Sequence, residues 1–401
     1  MTTIQLSNRC SIMNEYSMYI QHDWDECIRS VENRVWISVK PRNGPSVHGH
    51  LQCTSHKLNG IPIIQGTNGF EVESVSSHAI QVKHLSCPSV TLLSPYRVFN
   101  DVHNASVTSL DVVGGLCVSA SDSVLKSWSS LDHEKEKEVT MAGHYGDIYC
   151  CRWFPSVKVI LSCGVDLRIK IWSADTGECA RTLQGHTKAV TDLAIIDRGK
   201  NIISVSKDGT SKLWHVGSGK VIDDLINLNH TTHINCCSIS STKGLNLGER
   251  NIPASDIEIG TDDKCLLIGC ENGMLSLIGV YARKIIATNN LDCPVNACHL
   301  NEDAQTYVGC NDGRVIWLDE QLVIKHCIFD TNSPVRCLCL FKEFVVCGHG
   351  DGSCVIRSVN GKKAYLTGTN ADPIYDVSTD TRFFYTACRD GIIRKYLPEL
   401  L

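Results

Sequence analysis

Gly185-His186-Thr187-Lys188-Ala189-Val190-Thr191-Asp192-Leu193 opens a unit that continues through Asn201-Ile202-Ile203-Ser204-Val205-Ser206, turns at Lys207-Asp208-Gly209 and closes on Thr210-Ser211-Lys212-Leu213-Trp214. Period-two alternation and β-branched residues predict strands on both sides of the turn. Asp-Gly between two such runs predicts a tight hairpin, because that turn needs positive φ and glycine adopts it without steric cost. The same layout stands 42 residues earlier as Gly143-His144, Ile160-Leu161-Ser162, Asp166 and Ile169-Lys170-Ile171-Trp172, with Trp again 28 residues after the His.

An earlier copy has His103, Ser119, Asp122-Ser123 and Trp128, with one residue fewer between Ser and Asp and no Gly before the His. Downstream the Gly-His and Trp landmarks fade, but the turn persists at Asn272-Gly273, Asp312-Gly313, Asp351-Gly352 and Asp390-Gly391, at spacings of 40, 39 and 39 residues. Apolar runs flank each turn, such as Phe344-Val345-Val346-Cys347 and Arg314-Val315-Ile316-Trp317.

A repeat of about 40–45 residues opening on Gly-His and closing on Trp is the signature of a four-stranded propeller blade. The chain is therefore expected to be all-β: a seven-bladed WD-repeat β-propeller over residues 94–401, preceded by a small β-rich N-terminal module over 1–93. The step from Asp208 to Asn272 is 64 residues. Its excess falls in residues 240–262, which lack strand periodicity and are expected to form a surface insertion in the fourth blade. Ile392 to Tyr396 reads as the third strand of the last blade with no fourth to follow. Tyr96-Arg97-Val98-Phe99 is the natural donor of that strand, and pairing it there also removes an exposed sheet edge. In the N-terminal module, Arg34 to Val39 and Ala79 to Val82 read as strands and residues 22–31 as a short helix.

The 401 residues carry a net charge of −5 with no basic run, which argues against a nucleic-acid-binding face. No stretch of 18 apolar residues occurs, and Met1 to Ser11 lacks a signal-peptide layout, so no membrane association is expected and the cytosol and nucleus are the expected locations. In those compartments the 22 cysteines are expected to be free thiols. Their spacing contains no C-x-x-C, so no metal and no cofactor is expected. No G-x-x-x-x-G-K-[ST] loop is present, so nucleotide hydrolysis by that route is excluded.

His, Ser and Asp recurring together invite comparison with nucleophilic hydrolases. The repetition argues otherwise: His144, Ser162, Asp166 and Trp172 are matched in order by His186, Ser204, Asp208 and Trp214, whereas a catalytic site is built once. The expected role is a buried network in each blade, Asp accepting from His, His meeting Ser and Ser meeting the indole. The chain is thus expected not to be an enzyme.

Binding is expected where the Gly-His and Asp-Gly loops gather on one face. The candidates there are Tyr145 as an aromatic anchor, Asp147, Lys188, Lys207, Asp292, Asp312, Asp330, Asp351, Asp372 and Arg389. Several are acidic, which suits a basic partner.

Gly143-His144 through Ala174-Asp175, with Cys150-Cys151-Arg152-Trp153-Phe154-Pro155 inside it, resembles the proteasomal ATPase-associated factor family. So do Asp197-Arg198-Gly199-Lys200, the Leu245-Asn246-Leu247-Gly248 of the insertion, and the last blade with Tyr385 and Cys388-Arg389-Asp390-Gly391. His22-Asp23-Trp24 and Gly60-Ile61-Pro62 extend the resemblance to the N-terminal module. It implies a non-catalytic factor, monomeric on its own, that binds an AAA-type ATPase subunit of the proteasome regulatory-particle base near its C-terminal region and acts as an assembly chaperone or regulator. The alternatives are a WD-repeat scaffold or substrate receptor for another complex, and a propeller enzyme with isolated catalytic residues at the channel, of which the sequence offers none.

Overall fold

In the third repeat the alternation becomes four antiparallel strands, Val190–Ile196, Asn201–Ser206, Thr210–His215 and Lys220–Asn227. The register sets Ile202 opposite Trp214 and Leu193 opposite Ser204. The second strand is buried throughout, because neighbouring blades cover both of its faces. This computed structural model describes residues 16–29, 33–41, 44–58, 60–131, 138–229, 231–242, 245–250, 255–329, 331–358 and 361–398.

Seven such four-stranded units follow one another among the described residues. Their first strands are Val107–Val113, Ile148–Trp153, Val190–Ile196, Ile234–Ser241, Val295–Leu300, Val335–Phe341 and Ile374–Thr379. Each packs against the next, and the seventh packs against the first, which closes a ring. The seventh unit is completed by Arg97–Phe99, antiparallel to Ile393 to Lys395, so a segment preceding the first blade supplies the outer strand of the last one. Phe99 anchors that strand by packing against Trp128, with ring centroids 4.7 Å apart and planes tilted by 56°.

The hairpin turns behave as their sequences require. Gly209 has φ 80. In the first blade, where Ser123 replaces the glycine, Asp122 itself takes φ 50, a conformation Asp tolerates better than most residues.

The N-terminal segment forms two sets of strands. Tyr16–Ile20, Arg34–Pro41, Val47–His56 and Pro62–Gly66 make one sheet. Phe70–Val75, Ala79–His84 and Cys87–Leu93 join the sixth blade, because Cys87–Leu93 pairs in parallel with Lys363–Leu366 to give one seven-stranded sheet. Met18, Trp24, Ile37 and Leu92 share a core with Val355 and Tyr365 of that blade. The helix expected over 22–31 is shorter, Trp24–Cys27, and residues 30 and 31 lie outside the described residues.

The insertion falls between Ile234–Ser241 and Lys264–Cys270, with no strand in its described part. It is more firmly held than a surface loop need be. Asn201 of the third blade, fully buried, accepts from the Ile259 N–H at 2.7 Å and donates to the Ile257 carbonyl at 3.1 Å. Glu258 has a buried side chain and pairs with Arg250 at 2.8 Å and Arg283 at 2.9 Å.

Candidate partner-binding face

In each antiparallel blade the loop leading into the first strand and the hairpin between the second and third strands lie at the same end. That end is one face of the ring, and the insertion, between a first and a second strand, lies on the other. On the first face, the loop leading into the second blade carries His144, Tyr145 and Asp147, and its hairpin carries Asp166.

The networks lie beneath this face. In the third blade Trp214 Nε1 donates to Ser204 Oγ at 2.8 Å, Ser204 Oγ is 2.7 Å from His186 Nε2, and His186 Nδ1 is 2.9 Å from Asp208 Oδ2. The indole is donor only, so Ser204 accepts from it and its own hydroxyl proton goes to His186 Nε2. His186 is then the Nδ1–H tautomer and donates to the carboxylate. The second blade repeats the chain through Trp172, Ser162, His144 and Asp166 at 2.8, 2.7 and 2.9 Å. The first blade keeps His103, Ser119 and Trp128 at 2.7 and 3.0 Å, and among the described residues no carboxylate bonds to His103.

Burial decides the protonation of His103 and His144. It lowers His103 to about 4, with Lys126 adding to the effect. It also lowers His144, against the opposing pull of Asp166. Burial alone would raise Asp208, but bonds from His186, Thr210 and the Thr187 N–H outweigh it and hold the carboxyl below the ordinary range. Each serine hydroxyl is enclosed between an indole and an imidazole. The geometry is that of a brace for the hairpin.

The candidates above the networks differ in how free they are. Tyr145 is 77% exposed with the Arg168 guanidinium 5.4 Å from its ring, and Asp147 beside it is exposed. Lys188 and Asp292 are exposed too. Lys207 leans toward the channel, its ammonium 5.4 Å from the Tyr149 ring. Asp372 and Arg389 come together as an ion pair at 2.9 Å, and Asp312 pairs with Arg314 at 2.5 Å. Asp351 Oδ1 accepts from the Ser353 N–H and hydroxyl. Asp330 lies outside the described residues.

The central channel, about 520 Å³, holds residues that the repeat landmarks do not reveal. Asp192 accepts from the Cys237 N–H at 2.9 Å, Asp376 from Leu110 at 2.9 Å and Asp111 from Trp153 at 2.7 Å, each bond joining one blade to its neighbour. Thr108, Thr191, Asn235 and Asn296, each the second residue of its first strand, donate to the carbonyl that opens the next blade's first strand. Arg152 spans the channel wall toward Asp376 at 3.7 Å and Asp192 at 3.9 Å. These are latches between blades, and their alternate positions along the first strands are the signal that could have found them.

The described cysteines are free thiols, and burial pushes Cys265 and Cys310 up to about 12. Among the described residues no three His, Cys, Asp or Glu side chains gather as a metal site. No described helix is long and apolar enough to cross a membrane.

A closed ring of braced four-stranded blades, with the Gly-His and Asp-Gly loops on one face, defines a WD-repeat β-propeller. The WD domain, G-beta repeat family matches residues 135–173 and 177–215. Proteasomal ATPase-associated factor 1 of Homo sapiens is 34% identical over 388 residues, covering 94% of this chain and 97% of the relative. The Gallus gallus protein of the same name is 33% identical over 95% of this chain and 98% of its own length. The 26S proteasome regulatory subunit RPN14 of Saccharomyces cerevisiae is 32% identical over 43% of this chain and 42% of its own. The chain belongs to the proteasomal ATPase-associated factor family.

Proposed function

We propose that this protein is a non-catalytic factor that binds an AAA-type ATPase subunit of the proteasome regulatory particle, near the subunit's C-terminal region, and regulates assembly of that particle. The names of its relatives supply the partner class, and their similarity spans both the N-terminal segment and the propeller. The observation that carries the site is Tyr145, a large aromatic side chain left 77% exposed on a braced loop beside the exposed Asp147. An aromatic anchor next to a carboxylate on a rigid scaffold fits a basic protein surface. The polar groups that resemble a hydrolase site are enclosed under the turns and leave no nucleophile facing solvent. Holding an ATPase module both stabilises the free module and competes with its docking, so one contact serves chaperoning and restraint alike.

The test is co-migration of the purified full-length chain with each isolated proteasomal ATPase subunit on a sizing column. The reading predicts a complex with at least one subunit, lost in a folded Tyr145→Ala, Asp147→Lys variant. Absence of any complex would overturn the partner; a complex that survives the substitutions would overturn the site.

A further inference from the structure

Where the N-terminal sheet meets the sixth blade, a cleft of about 480 Å³ opens between Met18 to Asp23 on one side and Asp351 to Ser353 with Tyr365 to Ala371 on the other, with Trp36 also lining it. Its walls are fixed to each other. The Met18 N–H donates to the Tyr365 hydroxyl at 3.1 Å, Trp24 Nε1 to Thr367 Oγ1 at 2.8 Å, and Lys363 Nζ to the Tyr16 carbonyl at 2.7 Å.

The lining carries one histidine, His22, beside Asp23, and is otherwise acidic. It holds two carboxylates, Asp23 and Asp351, and neither lysine nor arginine. Both Ser353 donors go to Oδ1 of Asp351, which leaves Oδ2 without a bond among the described residues; burial and, after it, the charge of Asp351 raise the Tyr19 hydroxyl. Aromatic faces accompany the carboxylates. Trp36 is 46% exposed and Tyr19 is half-buried. Lys363, outside the lining, already stands 4.9 Å from the Tyr365 ring, so Trp36 and Tyr19 are the remaining faces. Aromatic rings and carboxylates around one concavity attract a cation by ring quadrupole and by charge together. The volume exceeds that of one side chain and accommodates it with its flanking backbone.

We propose that this cleft receives a lysine or arginine side chain from an extended segment of a partner protein, held between Trp36 and Tyr19 with its charge against Asp351. Asp351 lies in a hairpin of the candidate face, so the cleft extends that face onto the N-terminal sheet. The cleft does not depend on the ATPase reading, since its chemistry selects a cationic side chain whatever protein carries it.

The experiment titrates the full-length chain with capped pentapeptides Gly-Gly-Xaa-Gly-Gly, Xaa being Arg, Lys, citrulline or Glu, and follows indole fluorescence to millimolar concentration. The expected result is a saturable change with the Arg and Lys peptides and none with the citrulline and Glu peptides. Trp36→Ala abolishes it, Asp351→Asn weakens it by about tenfold or more through loss of a charge-assisted contact, and Asp303→Asn, exposed on the opposite face, leaves it unchanged. A saturable response equal for citrulline and arginine, no response to either basic peptide, or undiminished affinity in folded Asp351→Asn would each overturn the proposal. Should the peptides fail while an ATPase subunit still co-migrates, the cleft is rejected and the proposed function is not.

Discussion

The Asp208 carboxylate lies 2.9 Å from Nδ1 of His186, both side chains buried beneath the hairpin of the third blade. Asp208 also accepts from the Thr210 hydroxyl at 2.6 Å and the Thr187 N–H at 2.9 Å. The Thr210 N–H adds a fourth donor at 2.9 Å, so Asp208→Ala leaves four donors without this acceptor, each costing about 1–3 kcal/mol where it stays dry. The expected result is a loss of about 3 kcal/mol or more, seen as a lower denaturant midpoint with unchanged slope. An unaltered midpoint would show that the network is ornamental.

His103 and His144 are held neutral by burial, with folded pKa values below the ordinary 6.5. As pH falls below 6.5 the unfolded chain takes up protons that the folded chain refuses, so stability must drop. For His103 the loss continues to about pH 4. Asp208, lowered in the folded state, adds a second loss at lower pH, below the ordinary carboxylate range. Melting temperature measured from pH 7.5 to 4 should decline, and a folded His103→Asn variant should decline less steeply.

Closure rests on a strand borrowed from before the first blade. Phe99 is 6% exposed in that strand, and truncating it to alanine should cost about 3–5 kcal/mol. Hydrogen exchange should localise the damage, with amides of Ile393–Tyr396 losing protection before those of Asn201–Ser206. Uniform loss across both strands would mean that the ring opens as a whole.

Asn201 grips the insertion through two hydrogen bonds and caps the Trp214 carbonyl with a third at 3.1 Å. Asn201→Ala is expected to cost about 1–3 kcal/mol and to speed proteolysis between residues 242 and 263. Unchanged cleavage there would assign the anchoring to the Glu258 ion pairs alone.

The blades were legible because the hairpin and its brace recur at nearly constant spacing, so His186, Ser204, Asp208 and Trp214 could be matched to His144, Ser162, Asp166 and Trp172 before any coordinates. The borrowed strand was legible because the last blade lacked a partner. The parallel pairing of Cys87–Leu93 with Lys363–Leu366 was not, since each strand's alternation is satisfied by many neighbours and nothing local joins positions more than 250 residues apart. Arg152 escaped notice for the same reason: its partners Asp192 and Asp376 meet it only across a closed ring. The candidate face was legible as loops, but not which charges spend themselves on one another, as Asp372 and Arg389 do.

The central claim is that the braced face holds a proteasomal ATPase. Affinity purification of the tagged full-length chain with quantitative mass spectrometry, beside a Tyr145→Ala, Asp147→Lys variant shown to be folded by circular dichroism, tests it most directly. The account predicts that proteasomal ATPases dominate the wild-type partners, without core-particle subunits, and that the variant loses them. Absence of the ATPases from the wild-type set, or their retention by the folded variant, would contradict it.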